Sequence, residues 1–286
     1  MLTAIKVSEQ GFSHKAINKP CQDSICAGLN NKKTYSIIAV ADGHGGEKYF
    51  RSQIGSNYAV SIAKDLMVKF VENLKGISIS SNRDSLLEEN AKLIEARIVY
   101  KWREQVKNDF LANKLTQEEK ELCNSLKLDI NTDEQIYSIY GTTLLVSLYC
   151  PAFPFFLSIQ IGDGLTFALD CDDKDYLPIP EDESLGFGLT TSLCSKNATD
   201  HFRHFYSYRK LNALTVCTDG VADSFAKDKY GDFIRKIKNN LLEHDEKSVN
   251  IELQDFLPKL SERGSGDDVS LAGIFDIPKI KKDIKK

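Results

Sequence analysis

The chain has 286 residues, with 37 Lys and Arg against 41 Asp and Glu for a formal charge of −4, 42% hydrophobic residues and 27% charged ones. Such proportions exclude wholesale disorder, collagen and coiled coil, and the slight acidity argues against a dedicated nucleic-acid binder. The length fits one or two domains with a sizeable core. No apolar run approaches the roughly 18 residues of a membrane span. The first ten residues lack a basic stretch followed by an apolar one, so no signal peptide is expected. Seven cysteines form no C-x-x-C pair; neither a disulfide framework nor a zinc ribbon is expected. Cys150 and Cys217 stand within apolar runs, as buried thiols do. A reduced, cytoplasmic monomer is the expectation.

In chain order, short apolar runs bounded by turn residues predict strands over Leu2–Val7 and Tyr35–Ala41. A helical block follows. Phe50, Ile54, Tyr58, Ile62, Leu66 and Phe70 recur every fourth residue, and Leu87, Ile94, Ile98, Trp102, Val106 and Phe110 nearly so, which predicts two long amphipathic helices. A short third is expected over 116–126. Four strands come next, over Thr142–Cys150, Phe155–Ile161, Leu165–Leu169 and Ala213–Thr218. Between the last two lies a polar excursion, 170–212, in which Leu185, Phe187, Leu189 and Phe205 could pack. Helices are expected over Tyr230–Leu242 and Val249–Leu260, the latter ended or bent by Pro258. A final strand is expected over Val269–Phe275, and then a tail from Lys279 with five lysines in eight residues, read as a solvated end. Strict βαβ alternation is absent. Strands followed directly by strands predict antiparallel sheets with helices segregated outside, an α+β fold.

Three of the strands run into the same chemistry: Asp42-Gly43, Asp163-Gly164 and Asp219-Gly220. A fourth begins with Gly266-Asp267-Asp268. Asp-Gly alone is a favoured turn dipeptide. Four such carboxylates gathered at one sheet rim would repel each other unless cations neutralise them. Oxygen donors without a His or thiolate cage suit Mg²⁺ or Mn²⁺. His44, in Asp42-Gly43-His44-Gly45-Gly46, stands two residues from a candidate ligand, placed to donate a proton. Asp170, Asp172 and Glu181 have calcium-loop spacing but lack the turn glycine, and that reading is set aside.

The chain resembles the metal-dependent protein phosphatases, the protein phosphatase 2C family. Six segments carry the resemblance in the family's order: Pro20-Cys21-Gln22-Asp23, Asp42-Gly43-His44-Gly45-Gly46, Gly141-Thr142-Thr143, Ile161-Gly162-Asp163-Gly164, Cys217-Thr218-Asp219-Gly220-Val221-Ala222-Asp223 and Gly266-Asp267-Asp268-Val269-Ser270. They span about residues 8–275. The resemblance implies a four-layer αββα sandwich, two central antiparallel sheets flanked by helices. It implies one catalytic domain over 1–276, containing a helical segment 47–128 and the flap-like excursion 170–212, before the tail 277–286. It further implies hydrolysis of phosphoserine and phosphothreonine in a phosphorylated protein substrate at a centre of two Mg²⁺ or Mn²⁺ ions. Asp42 would bridge the ions, with the Gly43 carbonyl on one and Asp219 and Asp267 on the other. Asp23 would act close to them through water. Asp163 would join Asp219 in a weaker third site, and His44 would be the general acid.

Three departures place the chain with a variant bacterial branch. The family's phosphate-contacting Arg is missing between His14 and Pro20; His14, Lys15 or Lys19 could serve instead, with His14 the first candidate. The usual Ser-Arg is Gly164-Leu165, and the usual Asp-Asn is Asp267-Asp268. Two other functions fit the same residues, a non-catalytic phosphoprotein-binding module and a metal phosphoesterase acting on small molecules. Intact Asp42, Gly43, His44, Asp219 and Asp267 argue against the first.

Overall fold

The structure is a computed structural model that describes residues 1–78, 81–180, 190–226 and 229–278. Ten strands form two five-stranded antiparallel sheets. One sheet, in spatial order, is β1 (Leu2–Glu9), β10 (Val269–Asp276), β9 (Leu211–Cys217), β6 (Leu165–Asp170) and β7 (Asp175–Tyr176). The other is β2 (Ser24–Leu29), β3 (Ser36–Ala41), β4 (Leu144–Cys150), β5 (Phe155–Ile161) and β8 (Arg203–Ser207). The sheets stack face to face with helices outside both, the expected four-layer α+β sandwich.

The layers explain why the central strands read as continuous apolar runs. In β3, Ile38 and Val40 face the other sheet, where they meet Leu214, Val216, Ala272 and Ile274. Their neighbours Ile37, Ala39 and Ala41 face outward, against two long helices. These are α2 (Ser52–Ser78) and α3 (Arg83–Ala112). Leu87, Ala91, Ile94, Ile98, Trp102 and Val106 of α3 are buried at helical spacing. The stripe on α2 is centred on Ala59, Ala63 and Met67, all fully buried, while Ile54 is 37% exposed. A strict four-residue repeat drifts away from a 3.6-residue period. Short helices α4 (Gln117–Ser125) and α5 (Asp133–Ile139) each begin with a reciprocal capping box, at Thr116 and Thr132.

On the other face, α7 (Tyr230–Glu243) and α8 (Glu246–Arg263) cover Ile5, Val7, Phe167, Leu271 and Phe275. Of the two outcomes expected at Pro258, the helix does not end there: α8 runs past it to Arg263. Pro258 denies a hydrogen bond to the carbonyl of Gln254, but that residue is exposed and water can serve it. Leu257 and Ser261 on either side are fully buried and anchor the helix across it.

Strands β2, β7 and β8 were not expected. β2 and β8 are sheet edges whose residues are nearly all only half-buried, so neither carries a continuous apolar run. Within the excursion, Phe205 packs with Phe156 and Tyr176. Leu185, Phe187 and Leu189, the calcium-like Glu181 and the lysine tail from Lys279 lie outside the described residues. Asp170 instead turns its carboxylate onto its own loop, accepting the N–H groups of Asp172 and Lys174.

Candidate active site

Both sheets bring strand ends to one rim. β2 pairs with β3 so that Ser24 faces Ala41, which sets Asp23 and Asp42 side by side. β9 pairs with β10 so that Cys217 faces Leu271. That register brings Asp219, the first residue of α6 (Asp219–Ala222), near Asp267 at the entry to β10. Leu165 of β6 also faces Cys217, so the turn holding Asp163 borders the same place. Two bonds join the sheets there. Thr218 donates its hydroxyl to Asp23 at 3.0 Å, and Asp268 accepts the N–H of Gln22 at 2.7 Å. The carboxyls of Asp42 and Asp219 meet directly.

This crowding has an electrostatic cost. Burial, then the charges of Asp23, Asp219 and Asp267, push the Asp42 carboxyl well above the usual carboxylate range. Burial, then Asp163 and Asp267, push Asp219 up to about 6. Burial also raises Asp23 well above its ordinary value. One oxygen of Asp23 is buried with no hydrogen-bond partner among the described residues. The Gly43 carbonyl likewise accepts no hydrogen bond there. Unpartnered oxygens amid mutually repelling carboxylates are the kind of donors that suit a hard divalent cation. Gly43 fits this place because a side chain would not: a Cβ would lie 2.6 Å from the Gln22 carbonyl oxygen.

His44 follows directly. Its N–H donates to the Gly141 carbonyl at 3.0 Å, and its ring meets Tyr49 edge-on at 4.7 Å. Gly141 must be glycine for the ring to sit there, since a Cβ would come 2.6 Å from His44 Cδ2. Nε2 lies 2.7 Å from the hydroxyl of Ser192. Burial, and secondarily Lys48, lower the imidazole pKa to about 4.

His14 lies elsewhere on the rim, in α1 (Phe12–Ala16). Its Nδ1 is 2.9 Å from Asp268, off the line of a hydrogen bond, and its Nε2 is 3.6 Å from Asp267. The three side chains could together ligate a metal. Asp268, however, is already occupied: its two oxygens accept the N–H groups of Gly11 and Gln22, each at 2.7 Å. Lys19 donates to the Gly45 carbonyl. The rim thus gathers Asp23, Asp42, Asp219 and Asp267, with Asp163 and His44 at its border and His14 against Asp267. Sequence reasoning passed over Thr218, Asp268 and Ser192 as working parts. Asp268 showed only as a departure from a pattern, Thr218 as the end of a strand, and Ser192 not at all.

The family model described as protein phosphatase 2C matches residues 10–258. No curated protein sequence matches the chain significantly. Among solved structures, a bacterial serine phosphatase is similar with a TM-score of 0.58 at 15% identity, over 98% of this chain and 100% of that one. PppA, a key regulatory component of T6SS in Pseudomonas aeruginosa, is similar with a TM-score of 0.54 at 15% identity, over 96% and 97%. A C. elegans sex determining protein is similar with a TM-score of 0.56 at 15% identity, over 96% of this chain and 64% of that one. At such identities the likeness is one of fold.

Proposed function

The chain belongs to the protein phosphatase 2C family, and from that premise we propose that it hydrolyses phosphoserine and phosphothreonine in proteins, with metal-activated water as the nucleophile. The observation that carries the reading is the meeting of Asp42 and Asp219 from opposite sheets, beside the unpartnered oxygen of Asp23. Asp42, the Gly43 carbonyl, Asp219 and Asp267 are the groups that would hold two Mg²⁺ or Mn²⁺ ions. Asp163 with Asp219 would hold a weaker third, and Asp23 would act through water. Bound there, such ions lower the pKa of water and draw charge from phosphoryl oxygens. Residues 1–276 act as one catalytic domain.

The protein's own groups do the rest. A serine or threonine alkoxide leaves poorly, and a positioned acid speeds its departure by about 10²–10⁴-fold. His44 supplies that proton as the phosphorus–oxygen bond breaks. His14 contacts the substrate phosphate through Nε2, which lies beyond hydrogen-bond reach of Asp267. Among the described residues no helix is long and apolar enough to cross a membrane. The test is phosphate release from a phosphothreonine peptide with Mn²⁺, with and without chelator. Hydrolysis that chelator abolishes is expected. Phosphopeptide binding without hydrolysis, or hydrolysis of small phosphate esters alone, would overturn the reading.

A further inference from the structure

Three consecutive residues of the excursion grip the rim. Thr191 accepts the N–H of Gly162, next to Asp163, at 2.9 Å. Leu193 donates its N–H to the Thr142 carbonyl at 3.0 Å. Between them, Ser192 is 4% exposed and meets His44 Nε2 at 2.7 Å and the Thr142 carbonyl at 3.0 Å. We infer that Ser192 is a positioning residue that fixes the orientation and the tautomer of His44.

Counting donors sets the direction of the bonds. A serine hydroxyl has one proton and two lone pairs, and a carbonyl only accepts. With the Ser192 proton on the Thr142 carbonyl, the hydroxyl oxygen is left as an acceptor for His44 Nε2–H, and it also receives the Cys194 N–H at 3.3 Å. Turned the other way, the hydroxyl would serve Nε2 and lose its bond to Thr142, with only the weak thiol donor of Cys194, 3.2 Å away, to fill the freed lone pair. The chain Nε2–H to Ser192 to Thr142 therefore places the imidazole proton on Nε2. Nδ1, which makes no hydrogen bond among the described residues, keeps the lone pair.

The consequence for the reaction rests on the proposed phosphatase chemistry. With Nε2 held by Ser192, Nδ1 is the ring nitrogen left free to exchange a proton with the leaving group. Thr142 belongs to the same Gly141-Thr142-Thr143 segment that holds the His44 N–H, so the ring is pinned through both its backbone and its side chain.

The experiment has two arms. Imidazole ¹⁵N NMR of the full chain, with His44 assigned through His44→Gln, reads the tautomer whether or not the protein turns over. The wild type is expected to carry the proton on Nε2, and Ser192→Ala to show a mixture. In the kinetic arm, Ser192→Ala should lower kcat on a phosphothreonine peptide roughly 10- to 100-fold, a part of the about 10²–10⁴-fold that a general acid supplies. KM and turnover of p-nitrophenyl phosphate, whose leaving group needs no proton, should not change. Ser192→Thr, which keeps the hydroxyl, should restore most of the loss. A proton on Nδ1 in the wild type, an unchanged tautomer in Ser192→Ala, or equal losses on both substrates would overturn the inference. Absence of hydrolysis in the wild type would defeat the phosphatase reading alone, with the NMR arm still deciding the role of Ser192.

Discussion

The hydroxyl of Thr218, at the end of one sheet, donates to the carboxylate of Asp23, at the start of a strand in the other, across 3.0 Å. This contact places Asp23 and Asp219 on a common rim although nearly two hundred residues separate them. It occupies one oxygen of Asp23 and leaves the other buried and unpartnered.

Removing a central carboxylate should therefore separate folding from function. Asp42→Asn and Asp219→Asn are expected to abolish Mn²⁺-dependent hydrolysis while circular dichroism stays native. Without metal, each variant should melt a few degrees above the wild type, the scale of roughly 1–2 kcal/mol for a domain of this size, because a buried repulsion is relieved. Saturating Mn²⁺ at about a hundredfold excess over Kd should stabilise the wild type by roughly 2.7 kcal/mol per bound ion and the variants far less. Thermal melts with and without Mn²⁺ check all of this; equal metal shifts in wild type and variants would contradict it.

His44→Ala should discriminate between leaving groups. Turnover of a phosphothreonine peptide should fall by about 10²–10⁴-fold, and that of p-nitrophenyl phosphate only slightly. Parallel steady-state kinetics on the two substrates check it. Equal losses would mean that His44 holds the Asp42–Gly43 loop and does not donate a proton.

Asp268 stands where the resemblance expects Asn, and its two oxygens explain the difference. They accept the N–H groups of Gly11 and Gln22 and face His14. An amide has one acceptor oxygen, so Asp268→Asn turns an NH₂ toward one of those donors. Loss of about 1–3 kcal/mol of stability is expected, measured by urea unfolding. A variant as stable as the wild type would show that the loop re-pairs.

A second histidine gives a pH signature remote from the rim. His204 in β8 lies 2.7 Å from the buried Glu95 and 3.0 Å from Glu88, both in α3. The hydrogen bond to Glu95, opposed by burial and aided by Glu88, raises the His204 pKa. The folded pKa is above the unfolded one near 6.5, so this stabilisation is complete below about pH 6.5 and is lost as pH rises through the folded value. His204→Gln should thus cost more stability at pH 5.5 than at pH 9. Unfolding series at both pH values test this, and an equal cost would show that the contact carries no charge.

Much of this arrangement was legible in the chain because its signals are local. Asp42, Asp163, Asp219 and Asp267 each stand within two residues of an apolar strand, so they could be read as strand-end groups. Strands such as β3, apolar on both faces, made layers on both sides of a sheet legible, while the four-layer stacking followed from the family resemblance. What was not legible depends on distant partners. Ser192 sits between Thr191 and Leu193 with no spacing or composition to mark it, and its meaning comes from a ring 148 positions away. His14 suggested a phosphate contact from its place in the chain, but its carboxylate neighbours emerge only when α1 folds against the start of β10. The passage of α8 through Pro258 likewise depends on burial of Ser261, which bonds Phe12 and Asp267.

The most direct test of the central claim is anomalous diffraction from crystals grown with Mn²⁺. The account predicts two anomalous peaks among Asp42, Asp219 and Asp267, with a weaker third beside Asp163. Absence of a peak at Asp42, or manganese confined to His14 and Asp268, would contradict it.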